Sequence, residues 1–299
     1  MSRILVTGAT GFVGSALCAW LTTAGFDVHA INRRELSNYQ NSESAFQKGD
    51  VVIHCAAIAH RLHEGGNPMD EYRQINRDLP HQIAMNAAKA GARRFVFLSS
   101  AKVLGEGGDM PYTATSKASP EGPYATSKWE AEQALLGLSQ QVDMDVVIVR
   151  PPLVYGPGVK GNLRQLIRVV DKGQPLPFGA VHNRRDMINL DNLCDVITRC
   201  IDAPVADKTL LVSDGEAIST TRLLTLLGEH RNCKARLLPV PTGLMRIVAK
   251  LIGKVDVANR LLGNFEVNIV VTQELLGWRP VCSVNEGFRK TCAEPVEVM

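Results

Sequence analysis

A tyrosine and a lysine four residues apart, Tyr124 and Lys128, follow two adjacent serines, Ser99 and Ser100. Residues at positions i and i+4 share one face of a helix, so a helix beginning near Tyr124 presents the phenol and the ammonium together. A phenol with a pKa of about 10 is a poor base at neutral pH, and a nearby ammonium favours the phenolate. Such a phenol can exchange a proton with a sugar hydroxyl or a carbonyl while a hydride moves. Ser100 is expected to hydrogen-bond the same oxygen.

The N-terminal segment indicates where a hydride carrier binds. Residues 4–6 are branched and apolar, as in a buried strand, and a helix is predicted over residues 15–24. Between them, Gly8 allows a sharp turn, Gly11 lets backbone amides approach a pyrophosphate, and Gly14 lets the helix pack closely on the strand. The amides that open the helix attract phosphate charge. The pattern predicts a dinucleotide site.

Strand and helix signals alternate along the first half of the chain, which is typical of a parallel sheet with helices on both faces. The predicted elements are strands at 28–31, 51–55, 95–98 and 146–149 and helices at 41–48, 74–90, 124–138, 162–170, 192–201, 220–230 and 244–251. The predicted fold class is α/β, a Rossmann-type doubly wound parallel sheet with a smaller C-terminal α/β substrate lobe. We place the cofactor domain at 1–154 and the substrate lobe at 155–299, entwined with the first domain. Residues 293–299 are expected to be a frayed tail.

Two features near the predicted cofactor site leave alternatives open. The second strand ends in Asn32, where an acid usually binds the ribose of NAD, and Arg33 follows, which suits the 2′-phosphate of NADP. Arg33 and Arg34 can equally be a solvated basic pair. Ala56 and Ala57 are small, as a backbone close to a flat adenine or nicotinamide ring requires, but tight packing also explains them.

Composition restricts the class of protein. The 299-residue chain has a net charge of +3, which is too small to indicate a nucleic-acid partner. The uncharged run 4–21 is interrupted by glycines and followed by no clear cleavage site, so a secretion signal is not expected. No later stretch is long enough to span a bilayer. The seven cysteines are scattered without a CxxC pair, so we expect reduced thiols, no metal site and a cytoplasmic protein.

These motifs together resemble the extended short-chain dehydrogenases/reductases of the nucleotide-sugar epimerase/dehydratase group. The match comprises TGxxGxxG at 7–14, Ser99-Ser100 with Val103 and Gly105, YxxxK at 124–128 and a run like RPxxVYGPG at 150–158. Within the group, the chain is most similar to bacterial reductases of UDP-4-keto-6-deoxy-N-acetylhexosamines, in the N-acetylquinovosamine branch of O-antigen synthesis. That finer similarity rests on residues 150–160, 175–180, 183–185 and 211–216.

The resemblance implies roles for individual residues. Ser100, Tyr124 and Lys128 match the catalytic triad, and Asn76 matches an asparagine near the nicotinamide. Arg185 matches the arginine that grips the substrate diphosphate, Asn162 matches a phosphate-contacting asparagine, and Arg260 is a weaker second diphosphate candidate. The predicted cofactor-binding residues are Gly8, Thr10, Gly11, Phe12, Val13, Gly14, Asn32, Arg33, Ala56, Ala57, Asn76, Ser99, Tyr124, Lys128, Pro151 and Val154. The implied cofactor is NAD or NADP and the implied substrate a UDP-sugar; a homodimer is left open.

Departures from the group pattern bear on the reaction. Leu104 replaces the usual tyrosine before Gly105, and Ala101-Lys102 stand where 4,6-dehydratases carry an Asp-Glu pair. Water elimination then lacks an acid and a base, so a dehydratase is not expected. Leu153 stands where many epimerases and dehydratases carry a substrate-binding asparagine.

The sequence favours a 4-keto reductase. Leu153 removes a polar substrate contact, as a 6-deoxy sugar allows, and Arg33 suits an exchangeable, phosphorylated cofactor. The alternative is a 4-epimerase of a UDP-hexose or a UDP-N-acetylhexosamine. A non-catalytic cofactor-binding protein is disfavoured because the catalytic serine, tyrosine and lysine are intact.

Overall fold

A six-stranded sheet with every strand parallel lies at the centre of the computed structural model, which describes residues 2–59 and 68–293. The strands in chain order are β1 (Ile4–Thr7), β2 (Val28–Ile31), β3 (Val51–His54), β4 (Arg94–Leu98), β5 (Asp145–Arg150), β6 (Leu153–Tyr155), β7 (Met187–Asn189) and β8 (Lys208–Leu211). The large sheet has the order β2-β1-β3-β4-β5-β8, and β6 pairs with β7 in a separate parallel ladder. The predicted parallel α/β class is confirmed.

Twelve α-helices surround the sheet in the described ranges. They are α1 (Phe12–Thr23), α2 (Leu36–Asn41), α3 (Pro68–Arg73), α4 (Leu79–Lys89), α5 (Gly122–Ser139), α6 (Gly161–Asp171), α7 (Leu190–Arg199), α8 (Thr220–His230), α9 (Thr242–Leu251), α10 (Val255–Leu262), α11 (Val270–Leu276) and α12 (Val284–Ala293). A π-helical segment (Gln74–Asp78) joins α3 to α4. Of the predicted tail, Ala293 ends α12, and residues 294–299 lie outside the described part of the chain.

Both faces of the sheet are buried because successive strand residues point to opposite sides. In β1, Ile4 and Val6 belong to the core cluster that contains the apolar side chains of α1 and α7. Leu5 belongs to a second cluster on the other face, with the apolar side chains of α4 and α5. The near-continuous apolar strands in the sequence are therefore those of a two-sided sheet.

The sheet order reverses between β1 and β3, which are neighbours although β2 follows β1 in the chain. Ligands of open α/β sheets bind outside the carboxyl ends of the strands at such a reversal. The turn after β1 and Ala56, which follows β3, meet at this point. The fold therefore places the predicted dinucleotide turn where a ligand crevice forms.

The second half of the chain contributes to both parts of the molecule. Strand β8 pairs with β5 and completes the large sheet from beyond residue 154. A third core cluster holds the C-terminal lobe together; there Tyr155 stacks on Phe288 with ring centroids 4.6 Å apart and donates a 2.7 Å hydrogen bond to Asp214. The division at 154/155 stays a prediction, and the sheet itself extends across it.

The predicted helix over 41–48 is wrong. The chain forms α2 earlier because the Asn32 side-chain oxygen accepts from the amides of Arg34 (2.8 Å) and Glu35 (3.2 Å), which turns the backbone directly after β2. Residues 43–45 form a short 3₁₀ turn that the Ser42 side chain caps.

The predicted helix over 74–90 is part of a longer helical run that begins at Pro68. Its middle widens into a π-helical turn, where the Leu79 amide donates to the Gln74 carbonyl five residues back. Pro80 has no amide hydrogen to give to the carbonyl of Asn76, so regular α-helical bonding is interrupted here.

Other expectations concern membranes, metals and thiols. Among the helices of residues 2–59 and 68–293, none has the length and apolarity to cross a bilayer. The same residues contain no group of three His, Cys, Asp or Glu side chains arranged to hold a metal ion. The seven cysteines are free thiols.

Candidate active site

The turn after β1 has the shape that a dinucleotide requires. Gly8 has a φ of +70°, and a Cβ there would lie 2.7 Å from the Ala56 nitrogen; at Gly14 it would lie 2.2 Å from the Gly8 oxygen. These positions exclude any side chain. Gly11 caps α1 without a side-chain hydrogen bond and is exposed, as is Thr10, so the first amides of α1 face an open crevice. The turn therefore fits a pyrophosphate.

The neighbouring residues of the predicted cofactor set occupy different environments. Val13 packs on the main core and Phe12 on the core of the C-terminal lobe, so α1 contacts both lobes. Pro151 is buried and accepts a 2.8 Å hydrogen bond from the Ala101 amide, and Val154 pairs with β7. Their direct contact with a cofactor stays a prediction.

The structure at the end of β2 is compatible with both interpretations of Arg33 and Arg34, a site for the NADP 2′-phosphate and a solvated basic pair. The Asn32 side chain is engaged in the turn that begins α2, as described above, and its backbone amide donates to Glu35 at 3.1 Å. Arg33 and Arg34 are both exposed. An exposed Arg33 beside the strand end can reach a 2′-phosphate, and it can equally remain solvated.

Asn76 has a role that the sequence did not predict. It is fully buried in the π-helical turn, and its amide nitrogen donates to the Ile58 carbonyl (3.0 Å) and to the Ser127 hydroxyl (3.0 Å). Its oxygen accepts from the Ile58 amide at 2.9 Å. Both donors of the carboxamide are therefore used within the protein. Asn76 fixes the loop that carries Ala56 and Ala57 against helix α5.

Tyr124 lies in the first turn of α5, half-buried, and shares a side-chain hydrogen bond with Ser100. Burial raises the pKa of Tyr124 to about 12, and the Ser100 bond opposes that rise. Ser100 is buried at the end of β4, where its oxygen also accepts from the Lys102 amide at 3.2 Å. The two predicted hydroxyl groups thus lie together, and the raised pKa of Tyr124 favours the protonated phenol.

Lys128 is 1% exposed and lies one turn further along α5. Its ammonium donates to the Leu98 carbonyl at 2.8 Å and stands 4.4 Å above the Phe97 ring. Burial lowers the pKa of Lys128 to about 8 because the charged form is desolvated. The sequence predicts that this ammonium lowers the Tyr124 pKa; in the structure, the lowering comes from Ser100.

A buried ion pair that the sequence analysis missed anchors the same helix. Glu132 is fully buried; its carboxylate accepts two hydrogen bonds from the Arg150 guanidinium, at 2.9 and 2.5 Å, and one from the Ser99 hydroxyl. Ser99 is thus engaged with the protein, and its contact with a cofactor stays a prediction. The signal was present in the sequence, because Glu132 continues the four-residue spacing of Tyr124 and Lys128.

The candidate diphosphate residues lie in the C-terminal lobe. Arg185 is half-buried, donates to the Gly263 carbonyl at 2.9 Å and lies over the Phe265 ring. Burial lowers the pKa of Arg185, and the positive charge of Arg260 lowers it further. The structure therefore brings Arg185 and Arg260 near each other, while Asn162 is exposed in the first turn of α6.

A short segment connects the two ends of the site. Lys102, whose amide bonds Ser100, forms a 2.7 Å ion pair with Glu106. The Glu106 carboxylate in turn raises the pKa of Arg185. The acid/base pair and Arg185 are therefore connected through residues 100–106.

Comparison with known proteins agrees with this geometry. Residues 4–212 match the NAD dependent epimerase/dehydratase family. A Vibrio cholerae protein named UDP-glucose 4-epimerase is 39% identical over 307 aligned positions that cover 96% of this chain and 94% of the relative. The chain therefore belongs to the NAD dependent epimerase/dehydratase family.

Solved structures share the fold at lower identity. A UDP-glucuronic acid 4-epimerase from Bacillus cereus in complex with NAD has a TM-score of 0.77 at 20% identity, covering 97% of each chain. The structure of RMD from Pseudomonas aeruginosa complexed with NADPH has a TM-score of 0.78 at 21% identity, covering 98% of each chain. The predicted enzyme class is confirmed, and the specific 4-reductase branch is not.

Glu132→Gln is expected to destabilise the protein strongly. The substitution leaves the buried Arg150 charge unpaired, which costs about 3–5 kcal/mol. Glu229→Gln is the matched control, because Glu229 pairs with Arg222 at the surface and such pairs contribute less than about 1 kcal/mol. Chemical denaturation measures the free energy of unfolding of both variants. Equal losses would contradict the role assigned to Glu132.

Tyr124→Phe is expected to retain cofactor binding and to reduce kcat by about 10²–10⁴-fold, the usual contribution of an acid/base group. Tyr39→Phe is the control, because Tyr39 is buried against Phe46 in the core cluster that includes α4 and α5. Calorimetry with NAD and steady-state turnover separate binding from chemistry. Wild-type turnover by Tyr124→Phe would exclude Tyr124 as the acid/base.

Proposed function

We propose that this protein is a 4-epimerase of a UDP-hexose, with Tyr124 and Ser100 acting on the C4 oxygen. The observation that carries the proposal is the near-complete alignment with the Vibrio cholerae relative of that name, combined with an intact serine, tyrosine and lysine. The sequence-based preference for a 4-keto reductase is not confirmed by the relatives, and the epimerase fits them better.

The proposed chemistry starts from the two hydroxyl groups that meet at the end of β4. When bound, NAD supplies a carrier for one hydride. Ser100 hydrogen-bonds the sugar O4, and Tyr124 accepts the O4 proton as C4 gives up its hydride, leaving a 4-keto sugar. After the keto sugar presents its other face, C4 regains a hydride and Tyr124 returns the proton to O4. Electrons and protons balance over the cycle.

The two directions of proton transfer make opposite demands on Tyr124. Its raised pKa suits the step in which it donates a proton. The positive charge of an oxidised nicotinamide favours the phenolate in the step that accepts one. The hydrogen bond from Ser100 acts in the same direction.

Arg185 and Arg260 are proposed to bind the diphosphate of the substrate. A guanidinium presents a planar fork of donors that matches phosphate oxygens. Arg185 is partly desolvated and held by the Gly263 carbonyl, so it is oriented before a ligand arrives. Binding the diphosphate there leaves the hexose to extend toward Ser100.

A second candidate, reduction of a UDP-4-keto-6-deoxy-N-acetylhexosamine, is favoured by two observations. Leu153 is 54% exposed, so the position where related epimerases carry an asparagine presents an apolar surface to its surroundings. Arg33 is exposed at the end of β2, where an arginine suits an exchangeable NADP(H).

One pair of assays distinguishes these activities. The purified protein is incubated with UDP-glucose without reductant, and the C4 epimer is followed by NMR. In parallel it is mixed with UDP-4-keto-6-deoxy-N-acetylglucosamine and NADH or NADPH, and cofactor absorbance is followed. Interconversion without net cofactor oxidation is expected. Stoichiometric oxidation with the keto sugar and no epimerisation would establish the reductase instead.

Arg185→Ala is expected to raise KM for the sugar nucleotide by about tenfold or more and to leave kcat nearly unchanged, because it removes a charge-assisted bond distant from C4. The control is Arg222→Ala, which alters an exposed surface pair. Steady-state kinetics give both constants. An unchanged KM would place the diphosphate elsewhere, with Arg260 the next residue to test.

Arg33→Ala is expected to weaken NADP(H) binding at least about tenfold more than NAD(H) binding, the value of one lost phosphate contact. Arg34→Ala, at the adjacent exposed arginine, is the matched control. Fluorescence titration with each reduced cofactor measures both affinities. Equal losses for the two cofactors would assign Arg33 to the solvated surface.

A further inference from the structure

Helices α9 and α10 form a hairpin whose inner side is attached to the body by a small core. Ala249, Ala258 and Leu262 pack there with Val181. The outer side of α9 carries a second apolar stripe at positions i, i+3, i+4 and i+7. Its members are Leu244, Ile247, Val248 and Leu251, which are 54%, 59%, 46% and 80% exposed. The helix thus has one buried face and one exposed apolar face.

The exposed apolar surface is concentrated in this hairpin. The described residues include fourteen large hydrophobic side chains that are exposed, and seven of them lie between Leu244 and Val257. Scattered single residues of this kind are ordinary on a protein surface, whereas a continuous patch marks an interaction site. The stripe on α9 continues through Ile252 and Val255 toward α10.

The same hairpin carries the net charge of the chain. Residues 242–262 contain four bases, Arg246, Lys250, Lys254 and Arg260, and one acid, Asp256. Since the whole chain has a net charge of +3, the rest contains equal numbers of acids and bases. Lys250 and Lys254 are exposed and flank the apolar stripe. The apolar patch therefore lies on a segment with a net charge of +3.

We infer that the α9–α10 hairpin docks the enzyme reversibly on an anionic lipid surface. An amphipathic helix with apolar and basic side chains lies in the plane of a membrane, where the apolar side chains enter the acyl boundary and the bases meet acidic headgroups. A second copy of this chain is a poorer occupant, because a two-fold contact through the stripe brings the same bases of both copies together. The inference does not depend on the proposed reaction.

Vesicle sedimentation tests the inference. The full-length protein is mixed with phosphatidylcholine vesicles, with or without phosphatidylglycerol. Binding is expected to the phosphatidylglycerol vesicles and to weaken as salt is raised. The double variant Lys250→Gln/Lys254→Gln is expected to weaken this binding about 25-fold, because each lysine contributes roughly fivefold.

The apolar contribution is tested by the double variant Ile247→Asp/Leu251→Asp. Its affinity for the vesicles is expected to fall at least about tenfold, because two apolar side chains no longer enter the acyl boundary. Because both side chains are exposed, this variant should keep the wild-type melting temperature and turnover. Val271→Asp, on the exposed surface of α11, is the matched control and should bind vesicles like the wild type.

Three results would overturn the inference. The first is that the protein sediments with neither vesicle type, and the second is that the wild type and the Ile247→Asp/Leu251→Asp variant bind vesicles equally. The third is a dimer in sedimentation velocity that this variant dissociates, which would assign the stripe to contact between two copies of the chain.

Discussion

The burial of the Glu132 carboxylate is the interaction on which the active site depends. Glu132 lies on the inner face of α5 and joins it to the ends of two strands, through Ser99 after β4 and Arg150 at the end of β5. A carboxylate and a guanidinium are costly to remove from water and are tolerated only when both are fully hydrogen-bonded. Their bidentate geometry therefore allows little freedom in how α5 sits on the sheet. Lys128 and Tyr124 lie one and two turns earlier on the same face, so their positions are fixed by the same contact.

A steric constraint at the other side of the crevice complements this electrostatic one. The turn after β1 lies so close to Cys55 and Ala56 that Gly8 excludes any side chain, and α1 lies so close to the turn that Gly14 does the same. Asn76 fixes the loop after β3 to α5 through Ser127. The π-helical turn that carries Asn76 lies where Pro80, which has no amide hydrogen, interrupts the α-helical hydrogen bonds. The turn, the loop and helix α5 are thus connected by backbone contact and by the buried hydrogen bonds of the Asn76 side chain. The site is organised by the folded protein, and a cofactor entering it meets groups already positioned.

Much of the first half was predictable because its signals are local. The glycine spacing, the apolar strand runs and the four-residue interval from Tyr124 to Lys128 each follow from one segment. The exceptions have identifiable causes. Strand β8 pairs with β5 and strand β6 with β7 across more than 30 residues of chain, and this tertiary pairing decides whether such segments form strands. Helix α2 depends on a side-chain bond from Asn32 that competes with helical periodicity further along. The Glu132–Arg150 pair joins residues 18 positions apart, and sequence gives their types without their contact.

The fate of the hydrogen at C4 tests the proposed chemistry most directly. UDP-glucose carrying deuterium at C4 is converted by the enzyme in ordinary water, and the product is analysed by proton NMR. A hydride that leaves C4 and returns to it within one active site predicts UDP-galactose that retains deuterium at C4, since Tyr124 handles only the proton on O4. Protium from water at C4 of the product would contradict the account, because it requires removal of the C4 hydrogen as a proton.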